Sequence, residues 1–335
     1  MSQTPSPNKA PSVFATGLAL GFLLIPTSVY AADPLEGVRR IVFLGDSITY
    51  AGHYIELVEA YMRLKAPGLD CQFLNLGLPS ETVSGLSEPG HAGGAFPRPG
   101  LHERLDRILS KIKPDLIVAC YGMNDGIYYP FDVKRFKAYQ NGIQLLREKA
   151  RTAGARIIYL TPPPFDPVPI KSRTLPAARE EYPLPYEGYD NVLSRYSEWL
   201  VERRSDGWDV VDIHTPLLKY LNEARSRDPK FRLAGDGVHL DPKGHWLIAR
   251  ELLKHWRVLE PKDESADTAD TVFASIPQGE KILSLVERRQ RVLKDAWLTA
   301  TGHKRPGMTK GVTRADSETQ ATAIGKDIQR LIVSK

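Results

Sequence analysis

At 335 residues, with 42% hydrophobic and 25% charged residues, the chain has globular composition and enough length for a sizeable core, which excludes a disordered or fibrous protein. Its formal net charge of +5 comes from 45 Lys and Arg against 40 Asp and Glu. These charges are interspersed, without the concentrated basic patch of a nucleic-acid footprint, so no nucleic-acid partner is expected.

The first element in chain order lies between Lys9 and Asp33, where PSVFATGLALGFLLIPTSVYAAD carries no charge before its last residue. It reads as a signal peptide, residues 1–31, cut after Ala31, because Val29 and Ala31 supply the small or aliphatic recognition positions. Its strongly apolar part is shorter than the roughly 20 residues that span a bilayer. The expectation is an extracytoplasmic protein, periplasmic or secreted, with no stable membrane anchor after cleavage. No other segment is apolar enough to span.

Apolar, β-branched runs then recur at 39–45, 71–77, 115–121, 155–161 and 208–213, each ended by Gly, Pro or polar residues. They are hydrophobic without alternation, which suits strands covered on both faces. Between and after them lie YIELVEAYMRLKA, GLHERLDRILSKI, FKAYQNGIQLLREKAR, VLSRYSEWLVERR and KGHWLIARELLKHW, with apolar residues at helical spacing. Strand and helix in alternation predict a five-stranded parallel sheet wrapped on both faces, a three-layer α/β/α sandwich over residues 38–256.

Two stretches break the rhythm. Residues 161–190, rich in Pro and Tyr, are too long for a plain connection and are expected to form a lid or rim. Residues 257–335 begin with a polar linker, PKDESADTAD, and continue as a helical C-terminal extension with Gly302 as a C-cap. Cys71 and Cys120 each sit in an apolar run and read as small buried thiols.

Ligands of open parallel sheets bind at the carboxyl ends of the strands. Those ends carry Gly45-Asp46-Ser47, Asn75-Leu76-Gly77, Gly122-Met123-Asn124-Asp125 and, before the helix at 243–256, Asp236-Gly237-Val238-His239. Acyl transfer to serine needs such a set: a nucleophile, a base, a group that orients the base, and oxyanion donors. Ser47 at a strand-to-helix turn is the candidate nucleophile, and its own N–H is free to join the oxyanion site. Gly77 bares a backbone N–H and Asn124 offers a neutral NH2 donor, completing an oxyanion hole of Ser47, Gly77 and Asn124. Asp236 and His239 are close enough for the carboxylate to hold one imidazole nitrogen while the other faces the serine.

These blocks, GDSIT, NLG, GMND and DGVHL, resemble in order those of the SGNH family of GDSL-type hydrolases. The resemblance implies a flavodoxin-like fold, with Ser47, Asp236 and His239 catalytic and no cofactor or metal. It also implies that the second and third strands flank the first, leaving Cys71 and Cys120 too far apart to bridge. It says nothing of residues 257–335.

Other chemistries fit less well. No G-x-S-x-G elbow is present. Asp236, His239, Asp241 and His245 form a conceivable metal set, but His245 opens an apolar helix and reads as a packing or capping residue. His303 reads as a helix-end cation, and Lys304 and Arg305 as a solvated basic loop rather than a site for an anionic substrate group.

The expected activity is that of a secreted serine esterase working through an acyl-enzyme on a small-molecule or polysaccharide ester, with O-acetyl groups on carbohydrate as the expected substrate. Lysophospholipase, lipase, thioesterase or arylesterase activity uses the same residues, and a carbohydrate-binding module is the non-enzymatic alternative.

Overall fold

The computed structural model describes residues 1–5 and 35–334; the signal-peptide reading therefore falls mostly outside the described residues. Five parallel strands form one sheet: β1 (Arg40–Gly45), β2 (Gln72–Asn75), β3 (Leu116–Cys120), β4 (Arg156–Leu160) and β5 (Asp209–Val211), in the order β2-β1-β3-β4-β5. β1 is buried from Ile41 onward and β3 throughout, which explains their unbroken apolar runs. Their register pairs Gly45 with Cys120, so both strands end at one edge. The chain reverses its march across the sheet between β1 and β3, and the crevice at such a switch point is where ligands bind.

The helices in chain order are α1 (Ser47–Ala51), α2 (His53–Lys65), α3 (Leu105–Ile112), α4 (Val133–Thr152), α5 (Tyr189–Glu202), α6 (His214–Arg227) and α7 (Pro242–His255). With right-handed crossovers, the reversal after β2 sets α3, α4 and α5 on the face opposite α2. The packing agrees: α2 meets α7, and α7 meets α6, while α3 meets α4 and Tyr139 of α4 stacks on Tyr196 of α5. Cys71, just before β2, and Cys120, at the end of β3, are buried free thiols, and β2 and β3 lie on opposite sides of β1.

The extension forms α8 (Pro261–Glu264), α9 (Ala269–Ala274), α10 (Gly279–Thr301) and α11 (Arg314–Val333). The stretch read as a polar linker is folded and pinned. Tyr61 Oη donates to Asp263 at 2.8 Å, and Trp246 Nε1 donates to the Ala266 carbonyl at 2.9 Å. α10 lies along α2 and β2, and residues 35–334 fall within one compact unit. Among the described residues, no helix is long and apolar enough to cross a membrane.

Candidate active site

β1 ends at Gly45 and α1 begins at Ser47, with Asp46 between them as the N-cap. The Asp46 carboxylate accepts the Ile48 N–H at 2.9 Å, which fixes the turn and presents Ser47 at the sheet's carboxyl edge. Asp46 is 3% exposed, and burial, followed by repulsion from buried Asp125, pushes its carboxyl up to about 7 despite that bond. The Ser47 N–H, the first of its helix, has no partner among the described residues.

Residues 236–239 make a turn closed by one side chain. Asp236 Oδ1 accepts the N–H groups of Val238 (3.0 Å) and His239 (2.8 Å), while Oδ2 lies 2.6 Å from His239 Nδ1. Gly237 takes φ +80°, and a Cβ there would lie 2.5 Å from the Asp166 carbonyl oxygen, so the turn requires glycine. Burial raises the Asp236 carboxyl, but the imidazole and the two N–H groups outweigh it and hold the carboxyl below its usual range. An ionised Asp236 fixes the proton on His239 Nδ1, leaving Nε2 as an acceptor 2.8 Å from Ser47 Oγ. Asp236 and His239 keep about half their side-chain surface exposed (51% and 53%), so the group stands in an open cleft.

Asn124 is 4% exposed on the loop after β3. Its Oδ1 accepts from Arg98 Nη1 (2.9 Å) and Tyr128 Oη (3.2 Å), which assigns the amide orientation. Nδ2 donates one hydrogen to the Glu81 carbonyl at 3.2 Å and keeps a second.

Gly77 departs from expectation. Its N–H donates to Asn75 Oδ1 at 2.9 Å, and a Cβ would lie 2.3 Å from Tyr50 N. Glycine is needed at 77 so that α1 can rest on the loop after β2, and the N–H expected at the oxyanion is engaged elsewhere. Asn75 completes that contact by donating Nδ2 to the Thr49 carbonyl at 2.8 Å. Three residues on, Ser80 is held at φ +67°, a conformation that costs a non-glycine residue strain, and its N–H has no partner among the described residues. Its loop is tied at both sides of the site, by Leu78 N–H to the Gly45 carbonyl (2.9 Å) and by Asn124 to Glu81.

The structure thus brings Ser47, Asp236 and His239 into hydrogen-bonded sequence, sets Asn124 at the end of the neighbouring strand, and turns the Gly77 donor away. Asp241 caps α7 through the Gly244 N–H (2.9 Å), and His245 is buried against His53 and Tyr54. Arg305 is not a solvated basic residue: it folds back to donate to the Pro79 carbonyl at 2.9 Å and lies over Phe96.

Beside Val238 a cleft of about 670 Å3 is lined by Arg98, Tyr128, Tyr129 and Tyr182 and by the run Pro183–Pro185. Tyr182 and the prolines come from the 161–190 stretch, which is ordered as a wall. Its Asp166 N–H bonds the Gly237 carbonyl, and its Tyr186 N–H bonds the Tyr128 carbonyl. Arg98 and Tyr128 went unremarked in the sequence. For Arg98 the available signal was the unusual length of the 76–104 connection, since connections of that size carry function, whereas Tyr128 lies in the shorter connection between β3 and α4 and had no such signal.

The sequence matches the GDSL-like lipase/acylhydrolase family over residues 43–247. No curated protein matches the chain. Among solved structures, a gut microbial diltiazem-metabolizing enzyme superposes with a TM-score of 0.51 at 24% identity, covering 66% of this chain and 47% of its own. The match therefore spans less than half of that enzyme. A catalytic mutant of Axe2, an acetylxylan esterase from Geobacillus stearothermophilus, gives 0.47 at 19% identity over 65% of this chain and 94% of its own. LAE5, an alpha/beta hydrolase enzyme from the metagenome of Lake Arreo, Spain, gives 0.46 at 22% identity over 66% and 96%. The first of these, at 24% identity, is a likeness of fold alone.

Proposed function

The chain belongs to the GDSL-like lipase/acylhydrolase family and is a carboxylic ester hydrolase, and on that premise we propose a secreted O-acetyl esterase acting on carbohydrate, with Ser47 as nucleophile. Ser47 Oγ attacks the ester carbonyl while its proton passes to His239 Nε2 across the 2.8 Å contact. Asp236 stabilises the imidazolium that forms. The tetrahedral oxyanion takes the Ser47 N–H, the second hydrogen of Asn124 Nδ2 and the Ser80 N–H, which replaces Gly77 in this role. Collapse expels the sugar alkoxide, which takes the proton from His239. Water then attacks the acetyl-Ser47 ester, gives its proton to Nε2, and acetate leaves as Ser47 regains its hydrogen.

The observation that carries the substrate reading is the cleft. A long acyl chain calls for a deep apolar channel, whereas a sugar calls for an open site with aromatic faces and a few polar groups. The lining sets Tyr129 beside the carboxylates of Glu88 and Glu181, a mixed polar and aromatic surface that favours the second description, while the faces of Tyr128 are covered by Tyr189 and Arg98 and Tyr182 is 8% exposed. Export rests on residues 1–31, and a mature protein beginning at Ala32 is its expected mark.

An acyl series of p-nitrophenyl esters from C2 to C16, read alongside acetate release from acetylated xylan, tests the proposal. Activity should be highest at C2, survive EDTA, and fall at least about 10³-fold in Ser47→Ala. A decisive preference for C12 over C2 would sink the carbohydrate reading and leave the esterase.

A further inference from the structure

Asn124 is held by a charged assembly that the acyl-transfer scheme does not use. Arg98 is 8% exposed and donates Nη1 to Asn124 Oδ1 at 2.9 Å. Its other donors are fixed by Glu88 through two bonds of 2.7 Å, a bidentate pair that leaves the guanidinium one orientation. Tyr128 adds a second donor to the same Oδ1 at 3.2 Å, and its ring lies 5.4 Å beneath the Arg98 guanidinium. The Arg98 backbone is anchored as well, its N–H donating to Ser87 Oγ at 2.9 Å.

We propose that Arg98, clamped by Glu88 and assisted by Tyr128, is a positioning residue that polarises the Asn124 amide and so strengthens its Nδ2–H as an oxyanion donor. The inference rests on the donor role proposed for Asn124. Its physical basis is amide resonance. A cation and a phenol on the carbonyl oxygen draw charge toward that oxygen and away from nitrogen, leaving the Nδ2 hydrogens more positive. At Asn124, itself 4% exposed, this favours the charged tetrahedral state over the neutral ester, which raises kcat and leaves ground-state binding nearly alone. The same two bonds also prevent the amide from flipping and presenting its oxygen to the oxyanion.

A kinetic double-mutant cycle on p-nitrophenyl acetate tests this, with Asn124→Ala, Arg98→Gln, Tyr128→Phe and the two doubles containing Asn124→Ala. Removing one oxyanion donor costs about 10²–10³ in kcat, so weakening it through Arg98→Gln should cost about 10–10²-fold. KM should shift by less than about 3-fold, and affinity for a methyl trifluoromethyl ketone, which forms a hemiketal oxyanion on Ser47, should fall in step with kcat. In the Asn124→Ala background Arg98→Gln should cost nothing further. If Arg98→Gln does not fold, Tyr128→Phe, which leaves the Arg98–Glu88 pair intact, carries the test with a loss of about 3–10-fold that also vanishes beside Asn124→Ala. Full additivity, or a loss confined to KM, would overturn the inference and make Arg98 a substrate contact or a fold residue. An unchanged kcat in Asn124→Ala would instead overturn the donor assignment itself, so the two failures are distinguishable.

Discussion

Burial sets two opposing titrations beneath the nucleophile. It pushes the carboxyls of Asp46 up to about 7 and Asp125 up to about 6, and the His245 imidazole down to about 3, an effect to which the neighbouring imidazoles of His53 and His239 add. A carboxyl whose folded pKa lies above its unfolded value binds the proton more tightly in the native state, so stability falls as pH rises from about 4 to the folded pKa. His245 acts the other way: below its unfolded pKa the open chain binds a proton that the native state refuses, so its contribution rises with pH up to about 6.5. Depressed Asp236 loses its contribution only as pH falls below about 4, outside this window. Asp46→Asn keeps an acceptor for Ile48 N–H and removes one falling contribution, so it should gain on the native protein as pH rises from 4.5 to 6.5. His245→Gln should lose ground over the same range, each by up to about 1.4 kcal/mol per pH unit. Urea unfolding at several pH values measures both, and parallel stability curves for all three proteins would refute the assignment.

At the scale of elements, the strands and the helices between them were legible because burial on both faces leaves an unbroken apolar signature, as in RIVFLG and LIVAC. α6 was missed: Pro216 stands in its first turn, and only a narrow stripe of Leu217, Leu221 and Ala224 is buried beside its leading His214. The docking of the extension was not legible either, because a polar residue that meets a buried partner looks in sequence like one on a solvated face. Gln290 on α10 is such a case, donating Nε2 to Glu59 of α2 and to the Phe73 carbonyl at 3.0 Å. Arg289 joins at 2.6 Å beside Arg63 of α2 itself at 2.8 Å, so a carboxylate with no exposed surface is satisfied in part from residues far along the chain. β2 is an edge strand, and this helix covers it. Gln290→Ala should therefore lower unfolding free energy by about 1–3 kcal/mol, the cost of leaving buried acceptors short of a donor. Denaturant titration checks this, and a midpoint within error of the native protein would show that the contact contributes nothing. At the site itself, Ser47 and Asn124 were legible as residue types after strand ends, and Asp236 and His239 as an acid and a base in the loop before α7. Gly77 was legible as a place needing glycine, but the direction of its N–H depends on the fold of the turn, which residue types do not encode.

For the whole molecule, the sheet order makes one site from residues nearly two hundred positions apart, and the extension closes the arrangement from outside. Arg305 holds the Pro79 carbonyl one residue from Ser80, and Lys294 holds the Tyr50 carbonyl at the end of α1. The segment between the sandwich and these helices is itself fastened, with Lys65 bonded to Glu260 and Asp263 buried against Tyr61. A catalytic edge tied down by residues 294 and 305 cannot stay ordered if α10 leaves, and α10 cannot leave without uncovering Glu59 and the edge of β2. Unfolding of the sandwich and release of the extension should then be one event. In the chain beginning at Ala32, esterase activity and helical circular dichroism should be lost at the same temperature in a single transition. Limited trypsin should not cut at Arg257 or Lys262 while the protein remains active. An early cut there that leaves an active fragment, or a separate low-temperature transition of the helical signal, would show that the extension is an independent appendage.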